Sequence, residues 1–173
     1  MKSSRNRTKI IAFVGISAST ALLLSYVEFL LPPLFVAVPG IKVGLPNIVI
    51  IYVLYCLGIK YAAFVSFTRI IISSILFGDS MTLLYSLAGA VLSLGIMWIL
   101  KHTDMLSTVG VSVSGGVMHN LGQILVAALL LDTPQIAYYM IVLAVTGTVS
   151  GIFIGLCGTI LINRITPGKF LRL

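Results

Sequence analysis

Five polar side chains stand where this chain is otherwise apolar, and their types suit the capture of an anion. His119, Asn120 and Gln123 lie within Ser112–Val126, inside an apolar stretch long enough to cross a bilayer. In a helix, His119 and Gln123 are i and i+4 and Asn120 and Gln123 are i and i+3, so the three share one face. Left unpaired in hydrocarbon, such groups are costly. The cluster therefore faces other helices, water or a ligand. Two readings stay open: an interhelical hydrogen-bond clamp, or the wall of a ligand pocket. Arg69 is near the centre of another apolar run, where an arginine costs at least ~2.5 kcal/mol and needs an anion or a polar cavity. Glu28 is the one acid inside an apolar run. Arg69 either pairs with Glu28 or binds an anionic ligand. Glu28 either reaches for headgroups at the interface or acts as a pocket or gate residue paired with Lys42 or Arg69.

The elements that carry these residues follow from composition. Of 173 residues, 59% are hydrophobic and 9% charged, too apolar for a soluble domain of this size. The expected class is an all-α, multi-pass membrane protein of the plasma membrane, forming a single domain over residues 1–173. About six spans of about 20 residues fill the chain. They are expected near residues 10–31, 45–59, 61–77, 81–100, 109–131 and 136–163. The net charge of +7 could suggest nucleic acid, but its distribution argues against that. Lys2, Arg5, Arg7 and Lys9 precede the first run. Lys60 and Lys101 lie in the second and fourth junctions, and Arg164, Lys169 and Arg172 follow the last run. With six crossings all nine fall on one side, the positive-inside pattern with both termini cytoplasmic. The first apolar run is too long for a signal-peptide core and ends at Pro32-Pro33, so it reads as an uncleaved first span.

The connection 32–46 is rich in proline and glycine yet apolar. With Pro32, Pro33, Pro39 and Gly40, it suits a stiff outer lid over a cavity. Lys42 is a lone outer cation, and Asn47 either starts a helix or faces the pocket. Small residues mark close helix approach. They are Gly15/Ser19 and Ser17/Ala21 on the first helix, and Gly147, Gly151 and Gly155 at i, i+4, i+8 on the last. Internal packing is the first expectation for both sets, with docking of a partner or a second copy as the other.

The ordered set Pro39-Gly40-x-Lys42-x-Gly44-Leu45-x-Asn47, Arg69, Tyr85-Ser86-Leu87-Ala88-Gly89 and Gly115-Gly116-x-x-His119-Asn120-x-x-Gln123 resembles the Gx transporter family. That family is also labelled heptaprenyl diphosphate synthase component I. The resemblance covers about residues 10–165. The family in turn looks like the substrate-binding S components of energy-coupling factor transporters. That likeness implies a six-helix bundle holding a vitamin-like ligand near the outer face, under the loop between helices 1 and 2. It also implies partners: a transmembrane coupling protein and two ATPases. Several S components carry Ala-x-x-x-Ala on helix 1 toward the coupling protein; this chain has Gly15/Ser19 and Ser17/Ala21 there.

The synthase label can be weighed against chemistry. Prenyl elongation needs clustered aspartates to hold Mg²⁺ and diphosphate. This chain has four acids, Glu28, Asp79, Asp104 and Asp132, and no two are neighbours. No Cys/His spacing suggests a metal. The expectation is therefore a non-enzymatic, cofactor-free binding subunit for a small anionic molecule, for which a flavin or a prenyl diphosphate suits one buried arginine plus amide donors. Arg69, His119, Asn120 and Gln123 lead the pocket, with Lys42, Asn47 and Glu28 behind them. Two alternatives remain: a membrane accessory subunit of polyprenyl diphosphate or quinone synthesis, and a membrane scaffold built on the helix 6 glycines.

Overall fold

The computed structural model describes residues 2–31, 43–131 and 139–165. Lys42 and the lid residues Pro32, Pro33, Pro39 and Gly40 lie outside the described residues. The described chain is helical: α1 (Lys2–Leu30), α2 (Asn47–Cys56), α3 (Ile59–Phe77), α4 (Ser80–Thr103), α5 (Thr108–Leu131) and α6 (Tyr139–Arg164).

Several boundaries differ from the expectation for physical reasons. The basic start is not a separate tail but the first turns of α1, since no helix breaker separates Lys2 from Ile10. The second helix does not run 45–59. It closes at Cys56, and Gly58 at φ 93° turns the chain into α3, which claims Ile59. α4 begins on an Asp79 cap whose carboxylate accepts the Thr82 N–H at 2.6 Å. It ends at Asp104 in the left-handed region.

Five of these helices, α1 and α3 to α6, are long and apolar enough to cross a membrane. The second expected span, 45–59, is not one of them. At ten residues, α2 is about 15 Å long, half of a hydrocarbon core about 30 Å thick.

The helices form a ring in the order α1, α3, α4, α5, α6, with α2 packed against α6, α3 and α1. The terminal ends of the chain meet at one end of the bundle. Phe13 of α1 packs on Tyr52, and the Tyr52 hydroxyl donates to the Ile165 carbonyl just after α6. At the same end, Lys101 Nζ donates to the Leu54 carbonyl at 2.7 Å and sits over the Tyr55 ring. Arg7, Lys9, Lys60, Lys101 and Arg164 thus mark a basic end. The largest enclosed side chains include Ile50, Ile51, Leu54 and Val53 of α2. The core is therefore fullest in the half that α2 fills.

Glycine sets the tightest seam. A Cβ on Gly147 would meet the Gly116 backbone at 3.0 Å, one on Gly151 the Val113 Cα at 2.6 Å, and one on Gly155 the Val109 Cα at 2.7 Å. The α6 ridge is spent on α5 inside the bundle. The first helix divides its small residues: Ser17 and Ala21 are buried, whereas Gly15 and Ser19 are exposed, with nothing within 4 Å of a Cβ built on Gly15. The Gly15/Ser19 pair therefore takes no part in internal packing.

Candidate ligand cavity

Because α2 reaches only halfway, the end of the bundle opposite the basic residues lacks a sixth helix to fill it. A cavity of about 660 Å³ lies there, within the range of small-molecule sites. All five long helices, the Val43-Gly44 turn and the start of α2 contribute to its wall.

The wall is built through a chain of hydrogen bonds. Gly44 adopts φ 80°, a conformation that glycine takes without strain. Its N–H donates to Glu28 Oε1 of α1, and its carbonyl accepts the Asn47 N–H at 2.8 Å, which opens α2. Asn47 Oδ1 in turn accepts from Arg69 Nη2 of α3 at 3.3 Å. The Gly44-Leu45-x-Asn47 sequence is thus a turn that joins α1, α2 and α3 around the cavity. Glu28 is buried and within electrostatic reach of Arg69.

Arg69 has five N–H donors in a fixed fork. Its Nε is enclosed and has no hydrogen-bond partner among the described residues. Arg69 lines the cavity, and a buried guanidinium there is suited to an anion, most of all one with several oxygens such as a carboxylate or phosphate.

From α5, the opposite wall carries His119, Asn120 and Gln123. The two readings of this cluster divide by residue. Asn120 Nδ2 donates to the Leu143 carbonyl of α6 at 2.6 Å, which is the interhelical clamp. His119 lies against Gly89 of α4, with its ring close to the Gly89 backbone. Gln123 Nε2 is 3.4 Å from His119 Nε2. The α3 and α5 walls do not adjoin, since α4 packs between them; Arg69 and His119 face each other across the cavity instead.

Of the residues expected at a site, Glu28, Asn47, Arg69, His119, Asn120 and Gln123 all line this one space. The sequence reading missed a set of hydroxyls there: Ser25, Ser73, Ser74, Tyr85, Ser86 and Ser150. Ser73 was legible as the i+4 neighbour of Arg69, and Ser25 as the i−3 neighbour of Glu28. Gly89 and Ser93, on the same α4, pack on α5, while Ser86 reaches the cavity. Among the described residues, no cluster of His, Cys, Asp or Glu is arranged to hold a metal ion. Cys56 and Cys157 are free thiols.

With this geometry in view, comparison with known proteins is informative at the family level. The family described as heptaprenyl diphosphate synthase component I matches residues 18–161. The chain belongs to that family. The match runs from α1 to the last turns of α6 and takes in every cavity residue named above. No curated protein and no solved structure matches the chain.

Proposed function

We propose that this protein is a substrate-binding membrane subunit, of the kind found as the S component of energy-coupling factor transporters. It captures a small anionic, vitamin- or cofactor-like molecule in the cavity, and separate coupling and ATPase subunits drive transport. The observation that carries this reading is the convergence of Arg69, Asn47, His119 and Gln123 on one cavity of about 660 Å³. Arg69 neutralises the anion, His119 and Gln123 supply directional hydrogen bonds, and no catalytic step is assigned to the chain. The gathering of Arg7, Lys9, Lys60, Lys101 and Arg164 at one end supports placing that end, with both termini, in the cytoplasm of a cell-membrane protein. The cavity then opens toward the outside. In this reading the coupling protein approaches α1 at Gly15 and Ser19, which are exposed.

The family description favours a second reading, an accessory membrane subunit of polyprenyl diphosphate synthesis. Native mass spectrometry of the purified protein separates the two. The first expects a bound small anion that Arg69→Ala releases while membrane accumulation persists. A protein carrying no small molecule that co-purifies with a soluble prenyl synthase supports the second. Loss of accumulation in both Arg69→Ala and Glu28→Gln would instead mark a structural ion pair.

A further inference from the structure

The cavity has a second neighbour besides its polar walls. Between α1 and α3, on the outer surface of the bundle, a groove of about 590 Å³ is lined by Leu22, Leu23, Tyr26, Phe29, Leu76 and Phe77. Phe29 and Phe77 line both the groove and the cavity. Their ring centroids are 5.1 Å apart, and Tyr26 packs on Phe77 at 5.9 Å. Two aromatic side chains are thus shared by a polar chamber and an apolar trough.

The trough faces hydrocarbon. Leu23 is 64% and Leu76 65% exposed, and Phe29 and Tyr26 about half. Along the same seam toward the basic end, the packing is closed: Ala21, Ala62 and Val65 are fully buried in one core cluster. The α1/α3 seam is therefore shut over half its length by small residues. It is lined over the other half by large aromatic ones, at the depth of the cavity. Aromatic side chains turn about two bonds and are readily displaced as a unit.

We propose that the cavity opens sideways into the bilayer between α1 and α3, past Phe29 and Phe77. Its ligand is then a membrane-resident amphiphile, with a phosphate-type anionic head at Arg69 and a hydrocarbon tail in the Leu22–Phe77 groove. This deepens the binding-subunit reading and rests on it. The chemistry on each side of the aromatic pair carries the argument. The chamber offers an arginine and the hydroxyls of Ser74, Tyr85 and Ser86, which suit phosphate oxygens. The trough offers alkyl and aromatic surface and no charge. A tail that leaves lipid for this trough exchanges one hydrocarbon for another. The groove therefore gives the tail a path between bilayer and chamber at little cost, while the head supplies most of the affinity. Prenyl and acyl chains share this chemistry.

The test uses the full chain in lipid nanodiscs, with dodecyl phosphate, farnesyl diphosphate and inorganic diphosphate as probes. A dodecyl phosphate carrying a terminal diazirine is expected to label residues 22–29 or 76–77, and inorganic diphosphate is expected to displace it. Leu76→Trp fills the trough at an exposed position that folding tolerates. It is expected to weaken the tailed probes about tenfold, by overpacking of the tail's path, while leaving inorganic diphosphate binding unchanged. Arg69→Gln is expected to weaken all three. Against dodecyl diphosphate, which carries the same head, a preference for farnesyl diphosphate identifies the tail as prenyl; equal binding identifies a general alkyl trough. Labelling spread around the lipid-facing surface and insensitive to inorganic diphosphate overturns the portal. If inorganic diphosphate still binds through Arg69 in that case, the anion-binding cavity survives and the portal alone falls. If no anionic probe binds at all, both fall together.

Discussion

Arg69 of α3 reaches across to Asn47, the first residue of α2, and donates to its Oδ1 at 3.3 Å, while the adjacent Nε is enclosed without a partner among the described residues. The contact holds the guanidinium in place without exhausting it. Arg69→Gln keeps an amide donor but removes the charge and the fork. Because a hydrogen bond to a charged group contributes about 1.5–3 kcal/mol, ligand affinity should fall roughly 10- to 150-fold. Accumulation in the membrane should persist, since removing a charge from an apolar helix lowers its insertion cost. Isothermal titration in detergent together with quantitative blotting of membranes reads the two effects separately.

Gly44 binds this arrangement to α1. At φ 80° a side chain is strained, and a Cβ would come within 2.9 Å of Asn47 Nδ2 and 3.3 Å of Ile154 Cδ1. Gly44→Ala should cost about 1–2 kcal/mol from the left-handed backbone alone. That corresponds to about 2–8 °C in a cooperative melt of a chain this size. A thermal scan of the detergent-solubilised variant that overlays the parent would show that the turn is not held as described.

Glu28 accepts the Gly44 N–H from the neighbouring helix. Glu28→Gln keeps an acceptor for that N–H, whereas Glu28→Ala removes it from a half-buried donor, at about 0.5–1.5 kcal/mol. The expected order of thermal stability is therefore parent and Glu28→Gln close together, with Glu28→Ala below both. Equal loss in the two variants would mean that the charge, through Arg69, matters more than the hydrogen bond.

The sequence showed the helices because apolar runs separated by Gly, Pro and Asp leave little choice, and it showed the site because Arg69, His119 and Gln123 are expensive anywhere but in a polar cavity. It hid four things. The shortness of α2 was hidden because Leu45 and Leu57 are as apolar as the helix between them; only the backbone at Gly44 and Gly58 decides its ends. The role of Asn120 was hidden because its partner is the Leu143 carbonyl, a backbone atom that no side-chain pattern announces. The outward turn of Gly15 and Ser19 was hidden because small residues favour close packing without saying which helix is close. The lateral groove was hidden because nothing in the sequence distinguishes Phe29 and Phe77, which line both groove and cavity, from any other aromatic residue of an apolar helix.

At the turn between α3 and α4, Asp79 accepts the Thr82 N–H at 2.6 Å, and this bond holds its carboxyl below the usual aspartate range. A depressed folded-state value stabilises the fold at pH above the unfolded value, near 3.9. That contribution is lost as pH falls through the lowered folded value. Asp79 is exposed, so solvent and salt weaken the effect. Asp79→Ala should lower the melting temperature at neutral pH and flatten its fall between roughly pH 5 and pH 2. Asp79→Asn should flatten the acid limb as well, while retaining more of the neutral-pH stability because the amide oxygen still caps α4. A melting profile with the parent's full acid slope in Asp79→Ala would assign that slope to other carboxylates.

His119 is positioned by the absence of a side chain at Gly89. A Cβ there would stand 2.8 Å from the His119 carbonyl oxygen and Cε1 and 2.9 Å from Nδ1, so the ring and its own backbone would both have to move. One turn further along α5, a Cβ on Gly122 would stand 2.7 Å from the Ala88 carbonyl oxygen and 2.8 Å from the Gly89 Cα, which are backbone atoms only. Gly89→Ala and Gly122→Ala should each cost about 1–3 kcal/mol of stability by forcing α4 from α5. Only Gly89→Ala also pushes directly on the imidazole. Its ligand affinity should therefore drop further than that of Gly122→Ala at matched stability. Adding His119→Ala makes the test a cycle. If Gly89→Ala acts through the ring, His119→Ala should weaken binding in the parent and in Gly122→Ala but change little once Gly89→Ala is present. Additive losses in all three backgrounds would mean that His119 binds independently of the seam, and that Gly89 serves only to bring the two helices together.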